Sequence, residues 1–416
     1  ITTYETGYTY IVVTDQMGNQ GFFRVNVVGK KAAGNGDIFP MISVGNAHSV
    51  ALKSDGTVWA WGMGTWGQLG SKGAASATVP VQVKYINEEG NAVNLENIVK
   101  ISAGGNHTLA LDRNGVVWGW GSNRRNELGQ GIDGANVPNY PYAVKVLGAD
   151  GVNYLGSSAE TTSAPIVDIA ASGYALAAGT GVSRAYSFAT DAQGRLWGWG
   201  DNYHGIVDPQ FTSVAANQNR NLPRDLSNNG VLSGAVQLAP DKIAANMRIL
   251  RPDGQVITWG DISYHAYGSY AYQEQPDRAV LNGRALTVSS GIYNAVAITT
   301  TGEVKTWGGS EKTGNAALDQ NIAETRYANG NVTVIVENED GSTSTIHVND
   351  RPATFESLSV GAPYTVYEPD PNDLEHMVKR EGTLAFPMSV DISEYLQVSY
   401  ADNSVWSVGN ADDDQV

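Results

Sequence analysis

From Asn46 to Gly70 the chain reads NAHSVALKSDGTVWAWGMGTWGQLG, and small or apolar residues alternate with others over His48 to Leu52 and again over Thr57 to Trp61. Period-two alternation rich in β-branched and aromatic residues predicts two strands. Ser54-Asp55-Gly56 lies between them, and its Asp-Gly pair tolerates the positive backbone angles that a tight hairpin turn demands. The pattern returns over Asn106 to Gly129, NHTLALDRNGVVWGWGSNRRNELG. Equivalent turns follow at Asn114-Gly115, Gln193-Gly194, Asp253-Gly254, Thr301-Gly302 and Asp402-Asn403, each before a short strand that ends in Trp-Gly or a relic of it.

The strands close on Gly62, Gly121, Gly200, Gly260, Gly308 and Gly409, so six copies are visible, and the last interval leaves room for one divergent copy more. A single such hairpin cannot bury its own apolar faces. Small sheets repeated radially cover one another and protect their edges, so the expected fold is an all-β propeller of about seven blades with long inter-blade loops.

The repeated residues are Gly45, His48, Ala51, Leu52, Trp59, Trp61, Gly62, Gln68, Leu69 and Gly70 in the first copy. Gly104, His107, Ala110, Leu111, Trp118, Trp120, Gly121, Leu128 and Gly129 match them in the second. This pattern resembles the regulator of chromosome condensation family over roughly residues 42 to 409. The third copy departs by inserting Gly179 to Ala185 into its hairpin, and the fourth has Asn246-Met247-Arg248 in place of Gly-x-x-His. The resemblance implies seven four-stranded blades. It also implies a protein-binding role, since the family includes nucleotide exchange factors, protein inhibitors of enzymes and bacterial surface proteins.

Ahead of the repeats, Tyr8 to Thr14 and Gly21 to Val28 alternate as strands on either side of a turn, which predicts a hairpin over residues 1 to 30. It resembles the closing strands of bacterial immunoglobulin-like surface domains; the other reading is that it completes the last blade. Residues 31 to 41 read as a linker, and 42 to 416 as the propeller with a divergent or inserted segment at 316 to 394. Within that segment, Asn331 to Asn349 predicts a further hairpin about Asp340-Gly341, and Glu368 to Met377 reads as loop or a short helix. The connections 71 to 97, 130 to 165, 201 to 242, 261 to 284 and 309 to 394 exceed ordinary loops and point to added hairpins or to function.

The charge of −16 argues against nucleic acid, whose phosphates require a basic surface. With no cysteine there is neither a disulfide framework nor a thiolate metal site. No apolar window is long enough to span a bilayer, so no membrane insertion is expected. The acidity, the lack of cysteine, the start at Ile1 and the immunoglobulin-like hairpin together lean toward an extracellular or cell-surface bacterial scaffold. Such a scaffold would be structural or adhesive, and could self-assemble into filaments through residues 1 to 28. The alternative is a propeller that docks on one globular protein, as an inhibitor or exchange factor does; a carbohydrate-active enzyme is a second alternative.

No nucleophile elbow, phosphate-cradling loop or dinucleotide fingerprint is present, and no catalytic residue is assigned. His48 and His107 share one repeat position and are expected to bond the neighbouring turn. Asp201, His204, Asp261 and His265 follow successive Trp-Gly pairs, and would converge at one rim if adjacent loops lie side by side; two imidazoles and two carboxylates could hold a divalent ion. Calcium is the cofactor to consider in so acidic a chain, with Glu368 to Asp373 and Asp412 to Asp414 the densest carboxylate groups. Tyr140, Tyr142, Tyr203, Tyr264, Tyr267, Tyr270 and Tyr272 lie outside the predicted core strands. Tyrosine's rigid apolar ring with a polar tip suits protein interfaces and sugar stacking, so the expected partners are proteins, other copies of the chain among them, or carbohydrate. The repeat tryptophans, Trp59 to Trp307, are expected in the core.

Overall fold

The computed structural model describes residues 7–14, 20–27, 38, 40–73, 75–132, 138–159, 162–175, 183–202, 205–208, 219–228, 230–241, 246–260, 277–278, 284–291, 294–308, 332–337, 343–348, 353–354, 358–370, 373–392, 396–402 and 404–408. Strand dominates, and no α-helix occurs among these residues. The chain divides into two units, one of Ile1–Asp253, Ile257–Asp261 and Gln273–Asp277, the other of Gly254–Val256, Ile262–Tyr272 and Arg278–Val416.

Each predicted hairpin forms the middle of a small antiparallel sheet. The first sheet runs Met41–Val44, His48–Leu52, Val58–Met63, Ser76–Gln82. The second runs Ile98–Ala103, His107–Asp112, Val117–Gly121, Tyr140–Lys145, and the third Ile166–Ala175, Ser183–Asp191, Leu196–Gly200, Arg220–Asp225. A fourth runs Gln237–Pro240, Asn246–Leu250, Val256–Gly260, Asp277–Arg278. The long connections thus supply each sheet's outer strand. The one before the second sheet also adds a hairpin, Lys84–Ile86 with Ala92–Asn94, whose Tyr85 pairs in parallel with Ala143.

The cores lie between successive sheets. Val50, Leu52 and Ala60 of the first pack with Ile98, Ala110 and Trp120 of the second. Leu109 and Val117 of the second pack with Ile169, Ala189 and Trp199 of the third, and Phe188 of the third packs with Met247 and Trp259 of the fourth. This face-to-face succession is the packing of propeller blades.

Equivalent residues join each blade to the next. The second tryptophan of a hairpin donates its indole N–H to a turn carbonyl of the preceding blade: Trp120 to Gln68 at 2.9 Å, Trp199 to Glu127 at 2.9 Å and Trp259 to Ile206 at 2.8 Å. In the opposite direction, Nε2 of His48 meets Thr108 Oγ1 at 3.0 Å and Nε2 of His107 meets Ser187 Oγ at 3.1 Å. The expected bonding role of the two histidines is therefore present, and its target is the next blade's strand. In the third copy Tyr186 takes the histidine position, donating to the Asn246 carbonyl at 2.8 Å.

The first blade departs from the expectation for the core. Trp59 and Trp61 are only half-buried, whereas Trp120, Trp197, Trp199 and Trp259 are fully buried. The inserted residues of the third copy also fall elsewhere than expected. Ser183 to Ala185 lengthen the Ile166–Ala175 and Ser183–Asp191 pair and leave the turn at Gln193-Gly194 unchanged in length, while Gly179 to Val182 lie outside the described residues.

Glycine is required where the imidazole folds back on the backbone. A Cβ on Gly45 would stand 2.3 Å from His48 Cε1 and 2.4 Å from the Gly104 carbonyl oxygen. Gly45→Ala is expected to destabilise the chain by about 1–3 kcal/mol, measured by urea denaturation at pH 7, because backbone blocks one direction of escape and the imidazole held by Thr108 the other.

In the second unit Ala285–Ser290, Asn294–Thr299, Val304–Gly308 and Ala353–Thr354 make one sheet, and Pro387–Ile392, Leu396–Tyr400 and Val405–Val408 another. Val296, Val304, Leu358, Leu396, Val398 and Tyr400 form its core. The expected hairpin is present as Val332–Glu337 with Thr343–Val348. The segment read as loop or short helix is instead part of a second hairpin, Pro363–Asp370 with Asp373–Thr383, because β-formers at alternate positions, Tyr364 and Val366 on one strand and Val378 on the other, favour an extended pair. The first hairpin, Gly7–Thr14 with Gln20–Val27, pairs with no other strand among the described residues.

Candidate interface at the blade turns

After the Trp-Gly of the first three blades the chain turns back through a short loop with recurring features. In the first blade the Gln68 side chain accepts the Trp66 N–H at 2.8 Å; in the second Glu127 Oε2 accepts the Arg125 N–H at 2.6 Å. Asn123 Oδ1 accepts the Leu128 N–H at 2.9 Å, and Asn202 Oδ1 the Val207 N–H at 3.1 Å. Gly67, Asn126 and Gly205 hold one position with φ of 89°, 64° and 68°, the left-handed region, which glycine and asparagine tolerate best. Burial comes first in pushing the Glu127 carboxyl up, with the charge of Asp201 adding to it. These polar groups are therefore committed to the turns.

One side chain in each of the first two turns remains for other work. Trp66 is half-buried at the tip of the first turn, and the exposed Arg124 of the second turn lies over its ring, the guanidinium carbon 3.9 Å from the ring centroid. Adjacent turns thus reach one another, as expected for loops of successive blades.

Tyr140 and Tyr142 stand beside this pair. Tyr140 pairs with Gly121 at the root of the second turn, and its carbonyl would be 2.8 Å from a Cβ on Gly67. Tyr142 forms a bridge with Ser71, and the Lys72 N–H donates to the Pro141 carbonyl at 3.1 Å. Partial burial raises the Tyr140 phenol above its usual range, so it stays protonated. Both tyrosines are half-exposed, and Pro141 and Lys72 are exposed.

Asp201 has a different setting. It is buried, and Arg184 Nη1 approaches it at 3.3 Å. Its proposed metal companions His204, Asp261 and His265 lie outside the described residues, as do Tyr203, Tyr264, Tyr267, Tyr270 and Tyr272. Glu368, Asp370 and Asp373 fall on the backbone of the second unit's long hairpin, and Asp412 to Asp414 lie outside the described residues. No group of three or more histidines and carboxylates is placed to hold a metal among the described residues.

Sequence reasoning singled out Tyr140 and Tyr142 but missed Trp66 and Arg124. The missed signal was local: an Arg-Arg pair in a turn of a chain carrying −16.

Comparison with known proteins bears on what such a frame is. Models of the regulator of chromosome condensation (RCC1) repeat match residues 55–111 and 98–127. The chain carries RCC1 repeats. Among curated relatives, the probable E3 ubiquitin-protein ligase HERC6 of Homo sapiens is 27% identical over 279 residues, covering 65% of this chain and 23% of HERC6. The ultraviolet-B receptor UVR8 of Arabidopsis thaliana is 35% identical over 124 residues, 29% of this chain and 26% of UVR8. The protein RCC2 homolog of Danio rerio is 27% identical over 250 residues, 56% of this chain and 43% of that protein. The chain therefore matches less than half the length of each of these relatives. Of solved structures, Prp20p of Saccharomyces cerevisiae superposes with a TM-score of 0.56 at 17% identity, covering 88% of this chain and 71% of Prp20p. Human WBSCR16 gives 0.55 at 13%, covering 94% and 78%. The RCC1 β-propeller is thus the fold of this chain.

Proposed function

We propose that this chain is a binding propeller that docks on a globular protein through the turns joining its first two blades. The observation that carries this reading is the Arg124–Trp66 stack beside Tyr140 and Tyr142. Trp, Tyr and Arg are the residue types that dominate binding energy at interfaces, and here an exposed Arg124 and half-exposed Trp66, Tyr140 and Tyr142 sit on turns whose Gln68, Asn123 and Glu127 side chains already accept backbone N–H groups. The RCC1 fold supports the same reading by analogy, since Prp20p binds Gsp1p and histones. An inhibitor or exchange factor works in this way, by seating one partner; no catalytic step by the chain itself is needed.

Pull-down with the wild-type chain, Trp66→Ala and Tyr142→Ala, followed by size exclusion, tests the proposal. The expected result is a defined complex weakened at least about tenfold by either variant, with melting unchanged. A complex indifferent to both substitutions would move the docking surface elsewhere. An extracellular scaffold joined through residues 1 to 28 predicts instead ordered multimers of the purified chain, lost when those residues are deleted.

A further inference from the structure

The docking patch has a chemistry of its own within this acidic chain. The segments 62–72, 121–130 and 138–142 contribute Lys72, Arg124 and Arg125 to it, and Glu127 is their sole carboxylate. That carboxylate is buried and turned inward to the Arg125 N–H. The patch is a cationic, aromatic island on a chain with net charge −16.

Arg124 is exposed, as Lys72 is, and its guanidinium makes no ion pair or hydrogen bond among the described residues; only its backbone N–H is engaged, with Ser122 Oγ. The guanidinium carbon lies 3.9 Å from the indole ring centroid on an exposed side chain, which leaves the guanidinium open to solvent. An arginine held by a stack keeps the planar fork that receives two carboxylate oxygens, and loses less rotamer freedom on binding than a free one.

We infer that the Arg124–Trp66 stack receives a carboxylate from an acidic segment of the docked protein, flanked by Lys72 and by the rings of Tyr140 and Tyr142. This inference rests on the docking proposal and names the partner's chemistry. The partner is a protein surface or tail rich in Asp and Glu, complementary to the island and repelled by the rest of the chain except there. Such a charge pattern selects one orientation as well as one partner.

The test uses the full chain and a fluorescein-labelled peptide of alternating glutamate and glycine, with its glutamine counterpart and a single-stranded DNA oligonucleotide as comparisons, read by fluorescence anisotropy. The glutamate peptide is expected to bind with salt-sensitive affinity and the glutamine peptide at least about tenfold more weakly. Arg124→Gln should weaken the glutamate peptide about tenfold and flatten its salt dependence. Arg124→Lys should restore only part, because an ammonium keeps the charge and loses the planar fork. Equal binding of both peptides, an unchanged Arg124→Gln, or tighter binding of the oligonucleotide would overturn the inference. Failure here is separable from failure of docking. A captured protein that needs Tyr142 but ignores Arg124→Gln would sink the carboxylate assignment alone, whereas one that ignores both would sink the docking surface too.

Discussion

Between pH 6.5 and pH 5 the folded chain is expected to lose about 3 kcal/mol of stability through two histidines. Burial holds His48 down to about 4 and His107 down to about 3, the latter with a further push from His48, against 6.5 for an ordinary imidazole. The folded pKa is depressed, so below pH 6.5 the unfolded chain takes up a proton that the folded chain refuses. Stability therefore falls as pH falls, at about 1.4 kcal/mol per pH unit for each histidine, until the folded pKa is reached.

The geometry explains the refusal. Ser187 Oγ donates to the Glu127 carbonyl at 2.7 Å, so it can only accept from His107, whose Nε2 carries the proton. Nδ1 of that ring has no partner among the described residues and faces Gly104. Protonation would place a second N–H, with charge, against backbone and without an acceptor. Glu127 acts the other way: its folded pKa is raised, so its burial penalty is relieved as pH falls toward 4.5, and it offsets part of the loss.

The measurement is urea unfolding at pH 7, 6 and 5, followed through tryptophan fluorescence. The variant is supplied by the chain itself, since Asn246 and Asn294 occupy the histidine position in later copies. His107→Asn should be less stable at pH 7 and shallower in its pH dependence by about 1.4 kcal/mol per unit. A slope unchanged in that variant would remove His107 as a source.

The repeat was legible because packing between blades needs the same residues each time. Trp-x-Trp-Gly encodes one indole that caps its own hairpin, as Trp118 does on Asp112 at 3.1 Å and Trp197 on Asp191 at 3.1 Å, and one that bonds the preceding blade. Tyr186 escaped notice since a phenol can span the same gap as an imidazole without preserving the motif. The outer strands were hidden for a different reason. They pair with a neighbour on only one side, as Arg220–Asp225 does with Leu196–Gly200 through a shifted register, so their sequences need no regular apolar alternation.

The proposed docking patch was half legible. Tyrosines outside the core drew attention to Tyr140 and Tyr142, but Arg124 and Trp66 occupy different steps of equivalent turns. Trp66 aligns with Arg125, and Arg124 with Thr65. Their stack depends on adjacent turns meeting one residue out of register, a relation that no comparison of aligned copies reveals.

Trp120→Ala and Trp66→Ala are expected to separate frame from function within one residue type. Trp120 is fully buried, packs between the first two blades, and bonds the Gln68 carbonyl. Its truncation leaves a cavity where blades must touch and a buried carbonyl without its donor, an expected cost of about 4–6 kcal/mol. That is comparable with the whole stability of many domains, so Trp120→Ala should be largely unfolded or melt far below the wild type in calorimetry. Trp66 is half-buried, and losing it forfeits a cation–π contact of about 0.5–1 kcal/mol while the turn's own hydrogen bonds, made by backbone and Gln68, persist. Trp66→Ala should therefore melt close to the wild type and fail in binding. If instead Trp66→Ala melted as low as Trp120→Ala, the ring would be part of the frame, and the patch would lose its claim to a partner.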